Sequence, residues 1–158
     1  MDGSAPAIRT GTSGRSCVLV VEDNGDAREW MRRVLEKDGH YVAAAPGGRD
    51  ALKLLRTIAC DAIITDLMMP DMDGVELVRE LTATRSEIPV VVVSGSSAML
   101  LRAARVFGAV ATLRKPVTAP LLRETVRAVL PVGHGHRAPG SESKPRDHRT
   151  ELRDQAEG

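Results

Sequence analysis

Short apolar runs alternate five times with stretches of helical periodicity between Ser16 and about Leu130. The runs Cys17–Val21, Tyr41–Ala45, Ala62–Thr65, Val90–Val93 and Ala109–Leu113 have the length and side-chain types of strands. Between the first two, Ala27, Trp30, Met31, Val34 and Leu35 recur at three- and four-residue steps, which places them on one helix face, and Gly39 ends that helix. Leu52, Leu55 and Ile58 repeat the pattern after the Pro46-Gly47-Gly48 turn, Val75, Val78 and Leu81 after Gly74, and Leu122, Val126 and Val129 after Pro120. From Met99 to Phe107 the pairs Leu100-Leu101 and Ala103-Ala104 spread apolar surface around the cylinder, so this helix has the least one-sided pattern.

The first, third and fourth strands are almost continuously apolar, as expected when helices cover both faces of a parallel sheet. Right-handed crossovers then predict a three-layer, doubly wound α/β fold on a five-stranded parallel sheet. Ligands of such folds bind at the carboxyl ends of the strands. Polar residues stand there: Glu22-Asp23 after the first strand, Asp66 after the third, Ser94 after the fourth and Lys115-Pro116 after the fifth.

The alternation predicts one domain over 16–130, preceded by a flexible arm, 1–15, and followed by a flexible polar tail, 131–158, too short for an output domain. Lys and Arg number 22 against 21 Asp and Glu, which leaves no basic excess of the kind that drives counterion release from a nucleic-acid backbone, so no nucleic-acid partner is expected from bulk charge. No apolar run exceeds five residues, so no membrane span or signal-peptide core is expected, and the predicted location is cytoplasmic. Cys17 and Cys60 show no metal-ligand spacing and read as small buried hydrophobes. His134 and His136 offer at most weak transition-metal ligation in a solvated tail.

Three carboxylates, a hydroxyl and a lysine converging on one sheet edge make a chemical proposal. Like charges about 4 Å apart repel by about 4 kcal/mol at an effective dielectric of about 20, so Glu22, Asp23 and Asp66 need a cation between them. Oxygen ligands and room for water suit Mg²⁺, with Mn²⁺ as the alternative, and not zinc. With charge withdrawn by the metal and Lys115, the Asp66 carboxylate can approach an anionic phosphorus in line, and so reads as a nucleophile. Ser94 is placed to donate to a phosphoryl oxygen, and Gly95 leaves room for it. The product is a labile acyl phosphate.

These residues resemble the receiver domains of bacterial response regulators, over essentially all of Ser16 to Leu130. VLVVEDN at Val18 to Asn24 looks like the acidic pair of that family, and TDLMMPDMDG at Thr65 to Gly74 like its phosphoacceptor segment. VVVSGS at Val91 to Ser96 and RKP at Arg114 to Pro116 supply its hydroxyl and lysine in the expected order. The resemblance implies a flavodoxin-like strand order, 2-1-3-4-5. It implies a phosphoacceptor rather than an enzyme, phosphorylated on Asp66 by a sensor histidine kinase or a histidine phosphotransfer protein. Mg²⁺ would be held by Asp23, Asp66 and the Met68 carbonyl, with Glu22 acting through a water. Met68 and Ser96 take the positions that tune dephosphorylation. A monomer or weak dimer that signals by docking on a downstream protein is expected.

The sequence departs from the family at Thr112, where Tyr or Phe is usual, and at Val117, where Phe is frequent. Conformational coupling is therefore assigned to the Gly95-Ser96-Ser97 loop and the helix carrying Phe107. Two other functions compete. An aspartate-nucleophile phosphatase of the haloacid-dehalogenase type needs a second aspartate where Met68 stands, and a phosphorylation-independent interaction module is kept open by Thr112. Simpler roles also exist for the single residues: helix caps for Asp66 and the Glu22-Asp23 pair, with Asp26 equally able to cap, a surface position for Lys115 and a turn for Ser94. Met68, Met69 and Trp30 read as packing, and Arg102, Arg105 and Arg114 as solvated.

Overall fold

Each of the five apolar runs becomes a strand in the computed structural model, which describes residues 15–84 and 86–131. Apart from Arg15 and Pro131, the expected arm and tail, with His134 and His136, lie outside the described residues. In chain order the elements are β1 (Cys17–Val21), α1 (Gly25–Lys37), β2 (Tyr41–Ala45), α2 (Gly48–Leu55), β3 (Ala62–Asp66), α3 (Gly74–Ala83), β4 (Val90–Ser94), α4 (Ala98–Val106), β5 (Ala111–Arg114) and α5 (Ala119–Val129). All strand pairs are parallel and the order is β2-β1-β3-β4-β5, as the resemblance implied. No helix among the described residues is long and apolar enough to cross a membrane.

Side-chain alternation along each strand divides the core into two layers. Val18, Val20, Ile64, Val91 and Val93 pack on one face against Met31, Val34 and Leu35 of α1 and Leu122 and Val126 of α5. Leu19, Val21, Ile63, Val90 and Val92 pack on the other against α2, α3 and α4, through residues such as Ala51, Leu77, Val78 and Leu101. Burial on both sides explains why the central strands carry no polar alternation. Leu19 is fully buried at the centre of the second layer. Leu19→Ala is expected to lower unfolding free energy in urea by about 3 kcal/mol, the lost transfer energy plus a cavity.

Helix ends account for several polar residues and free others for chemistry. Asn24 caps α1, its side-chain oxygen accepting from the Ala27 amide at 2.9 Å. Asp73 caps α3 in a reciprocal box with Glu76. Thr118 caps α5. Neither the Glu22-Asp23 pair nor Asp26 nor Asp66 serves as a cap. Gly39, with φ of 92°, follows the end of α1 as expected.

The structure corrects the sequence reading at several points. β3 and β4 each run one residue further, so Asp66 and Ser94 are the last residues of their strands rather than the first beyond them. α2 ends at Leu55, and Ile58 joins the core from the turn that follows. β5 begins at Ala111 rather than Ala109, because the Ala109 amide closes the end of α4 by donating to the Ala104 carbonyl. α4 buries only Leu101 and Ala104, and Met99, Leu100, Val106 and Phe107 remain exposed at or beside it. That is why its periodicity was the least one-sided. Of the residues read as packing, Met69 is buried, whereas Trp30 is 41% and Met68 62% exposed. Cys60 is buried as expected, but Cys17 is only half-buried, and the two thiols touch.

Candidate functional site

Parallel register brings the expected residues to one edge. Val21 pairs with Thr65, so Glu22 and Asp66 leave adjacent strands at the same level. Asp66 pairs with Val93 and Ser94 with Arg114, which places Ser94 and Lys115 at the same rim on the next two strands. Carboxylate oxygens of Glu22, Asp23 and Asp66 all lie within 4.8 Å of one another. Glu22 and Asp66 are buried, at 1% and 6% exposure, and Asp23 is open to solvent.

Lys115 enters this cluster from β5. Its Nζ donates to Glu22 Oε2 at 2.9 Å and stands 3.5 Å from Asp66 Oδ2. The peptide bond to Pro116 is cis. Burial pushes the Glu22 carboxyl above its ordinary range, against the Lys115 hydrogen bond and the Asn24 amide, and the nearby Asp66 charge adds to the rise. Burial pulls the Lys115 ammonium down, but its hydrogen bond to Glu22 and the charges of Asp66 and Glu22 outweigh that, and the net shift is upward. Lys115 is therefore no free surface lysine.

The remaining contacts set the orientation of each group. Asp66 Oδ1 accepts from the Leu67 amide at 2.7 Å, which leaves Oδ2 turned toward Lys115. The Thr65 hydroxyl donates to the Asp66 carbonyl at 2.9 Å. Ser94 Oγ donates to Ser96 Oγ at 2.9 Å and accepts from the Ser96 amide at 3.2 Å, so these two residues form one polar loop with Gly95 between them. Past β3 the chain folds back on itself, with the Gly74 amide donating to the Leu67 carbonyl at 2.9 Å. Met68 lies in that loop with its side chain in solvent. Thr112 is half-buried in β5, opposite Val92. Arg102, Arg105 and Arg114 are exposed, as read from the sequence.

Two contacts that hold the acidic turn escaped the sequence reading. Arg28 Nη1 donates to the Glu22 carbonyl at 2.8 Å, pinning the acidic turn from α1. Nothing in the spacing of a lone arginine on a helix announces this. The Asn24 amide donates to Glu22 Oε1 at 3.2 Å, and Asn at a helix start was a readable cap signal. Beside the cluster an open apolar groove of about 550 Å³ runs between Trp30, Ala27, Pro116 and Val117, with Lys115 at its edge.

The donor set suits a hard divalent cation. Three carboxylates face one ammonium, which leaves an excess of two negative charges when all are ionised, and the exposed Asp23 keeps the site open to water. Glu22, Asp23 and Asp66 thus fit Mg²⁺ by charge and by oxygen chemistry.

Comparison with known proteins agrees with this geometry. The model of the response regulator receiver domain matches residues 18–127. The response regulator MprA of Mycolicibacterium vanbaalenii is 37% identical over 114 residues, covering 72% of this chain and 49% of that protein. MprA of Mycobacterium avium is 35% identical, with 72% and 50% covered. The chain thus spans about half the length of these curated relatives. Among solved structures, the Vibrio cholerae chemotaxis protein CheY4 superposes with a TM-score of 0.69 at 28% identity, covering 74% of this chain and all of that one. The receiver domain of NtrX from Brucella abortus gives 0.69 at 27% identity, with 72% and 97% covered. Strand order, rim chemistry and these matches converge: the chain belongs to the response regulator receiver domain family of two-component signalling.

Proposed function

We propose that Asp66 is the phosphoacceptor, that it takes its phosphoryl group from a histidine kinase or histidine phosphotransfer protein, and that the reaction depends on Mg²⁺. The observation that carries this reading is Asp66 Oδ2, 3.5 Å from the Lys115 ammonium in a cluster shared with Glu22 and Asp23. As the Asp66 oxygen forms its bond to phosphorus, the donor's P–N bond breaks, and the leaving imidazole keeps the electron pair and is protonated. Lys115 offsets the charge of the incoming phosphoryl group. The Ser94 hydroxyl exchanges its bond to Ser96 for one to a phosphoryl oxygen. Asp23, Asp66 and the Met68 carbonyl would hold Mg²⁺ beside Glu22, and the ion, or Mn²⁺ in its place, supplies charge neutralisation at the phosphoryl oxygens.

Signalling follows from the exchange at Ser94. Movement of the Gly95-Ser96-Ser97 loop alters the start of α4, which carries exposed Met99 and Leu100 toward a protein partner. Thr112 offers no aromatic ring to this switch, so the loop carries the change. Met68 and Ser96, two residues beyond Asp66 and Ser94, occupy the positions that in the family tune dephosphorylation, and set the acyl phosphate lifetime here. A phosphatase of the haloacid-dehalogenase type is disfavoured, since Met68 holds no proton to give.

Acetyl phosphate supplies the test. With Mg²⁺, intact mass should show one added phosphoryl group, mapped to the peptide containing Asp66, and EDTA should abolish it. Mg²⁺ alone should raise the melting temperature, through binding to the folded state only. Phosphate release without labelling would indicate a phosphatase, and inertness toward both reagents an interaction module.

A further inference from the structure

A pair of thiols lies at the opposite end of the strands from the acidic cluster. Cys17 opens β1, and Cys60 stands two residues before β3. The Asp61 amide donates to the Cys17 carbonyl at 2.8 Å, and the Cys17 amide donates to Asp61 Oδ2 at 2.7 Å. These bonds extend the Val18–Ala62 pairing outward and hold the two Sγ atoms 3.7 Å apart. The pair is asymmetric. Cys17 lines an open groove of about 440 Å³ with His40, Tyr41 and Ile58, whereas Cys60 is 8% exposed behind it.

We infer that Cys17 and Cys60 form a reversible oxidation site, in which a small hydroperoxide reacts at the accessible Cys17 and Cys60 closes an intramolecular disulfide. In the first step the Cys17 thiolate attacks a peroxide oxygen and the O–O bond breaks. Cys17 becomes a sulfenic acid and the departing oxygen leaves as water or an alcohol. In the second step the Cys60 sulfur attacks the Cys17 sulfur, the S–S bond forms and the S–O bond breaks. The hydroxide released takes up the Cys60 proton as water. Two thiols are oxidised by two electrons and one hydroperoxide is reduced, and a dithiol reverses the change by exchange.

The electrostatics suit these roles. Its hydrogen bond with Cys60 holds the Cys17 thiol below its ordinary value, against burial and the Asp61 charge. That same bond to Cys17, together with burial, pushes the Cys60 thiol up. The link would join β1 to β3 across a separation of 43 residues, between the two strands whose far ends carry Glu22 and Asp66.

The test reads thiols only and does not involve Asp66. The full reduced chain is treated with hydrogen peroxide and analysed by intact mass and non-reducing peptide mapping. Expected are a mass loss of two hydrogen atoms, a peptide linking Cys17 to Cys60, a melting temperature higher by roughly 10 °C, and full return with dithiothreitol. Cys60→Ser should stop at a sulfenic acid that dimedone captures on Cys17, and Cys17→Ser should react slower by about tenfold or more. Wild type that remains unreacted while folded, or that gives only sulfinic or sulfonic acid or links between chains, would overturn the inference.

Discussion

Asp66→Asn is expected to keep the fold and lose acetyl phosphate labelling by about a hundredfold or more, because an amide oxygen is a far poorer nucleophile than a carboxylate. The same change should leave the protein more stable in magnesium-free buffer. It removes one of three negative charges within 4.8 Å of each other, and Lys115 keeps its 2.9 Å bond to Glu22, the more buried partner. Magnesium should then no longer raise the melting temperature. Intact mass and thermal melts, each with and without Mg²⁺, check the two effects. Full modification of the same peptide in the variant would dismiss Asp66 as acceptor.

Gly74→Ala is the second large effect. A Cβ at this position would lie 2.4 Å from the Asp66 carbonyl oxygen and 2.9 Å from Leu67 Cα, both backbone atoms that cannot rotate away. The loop between β3 and α3 must therefore open, at a cost of about 3 kcal/mol in urea unfolding, typical of overpacking at a tight site. Because Leu67 holds Asp66 Oδ1 through its amide, labelling should fall as well, by about tenfold. Gly25→Ala is the control. There the nearest atom is the mobile guanidinium of Arg28 at 3.7 Å, and the stability change should stay within about 0.5 kcal/mol. Equal losses in the two variants would show that helix-start glycines matter for a reason other than close approach.

Much of the site is legible in the amino-acid sequence, and the reason is geometrical. In a parallel doubly wound sheet every strand points its carboxyl end to the same rim, so Glu22, Asp23, Asp66, Ser94 and Lys115 share a neighbourhood once their strands are recognised. The strands themselves are legible because burial on both faces leaves continuous apolar runs, as in Val18–Val21 and Val90–Val93. β5 and α4 are harder. Ala109 has the composition of a strand residue yet completes the end of α4, and Met99 and Leu100 are apolar yet exposed, so local composition points to burial that the packing does not provide.

The order of residues by itself determined the existence of the five strands, the side of α2, α3 and α5 that faces the sheet, and the gathering of acids, hydroxyl and lysine at one rim. These follow from periods of two and 3.6 residues and from chain direction, which are properties of neighbours in sequence. Only the tertiary structure decided that Lys115 bonds Glu22 from 93 residues away, that Arg28 pins the acidic turn, and that Cys17 meets Cys60. Those contacts depend on interstrand register and on the rotation of α1 against the sheet, which packing sets to within an ångström and no local pattern encodes.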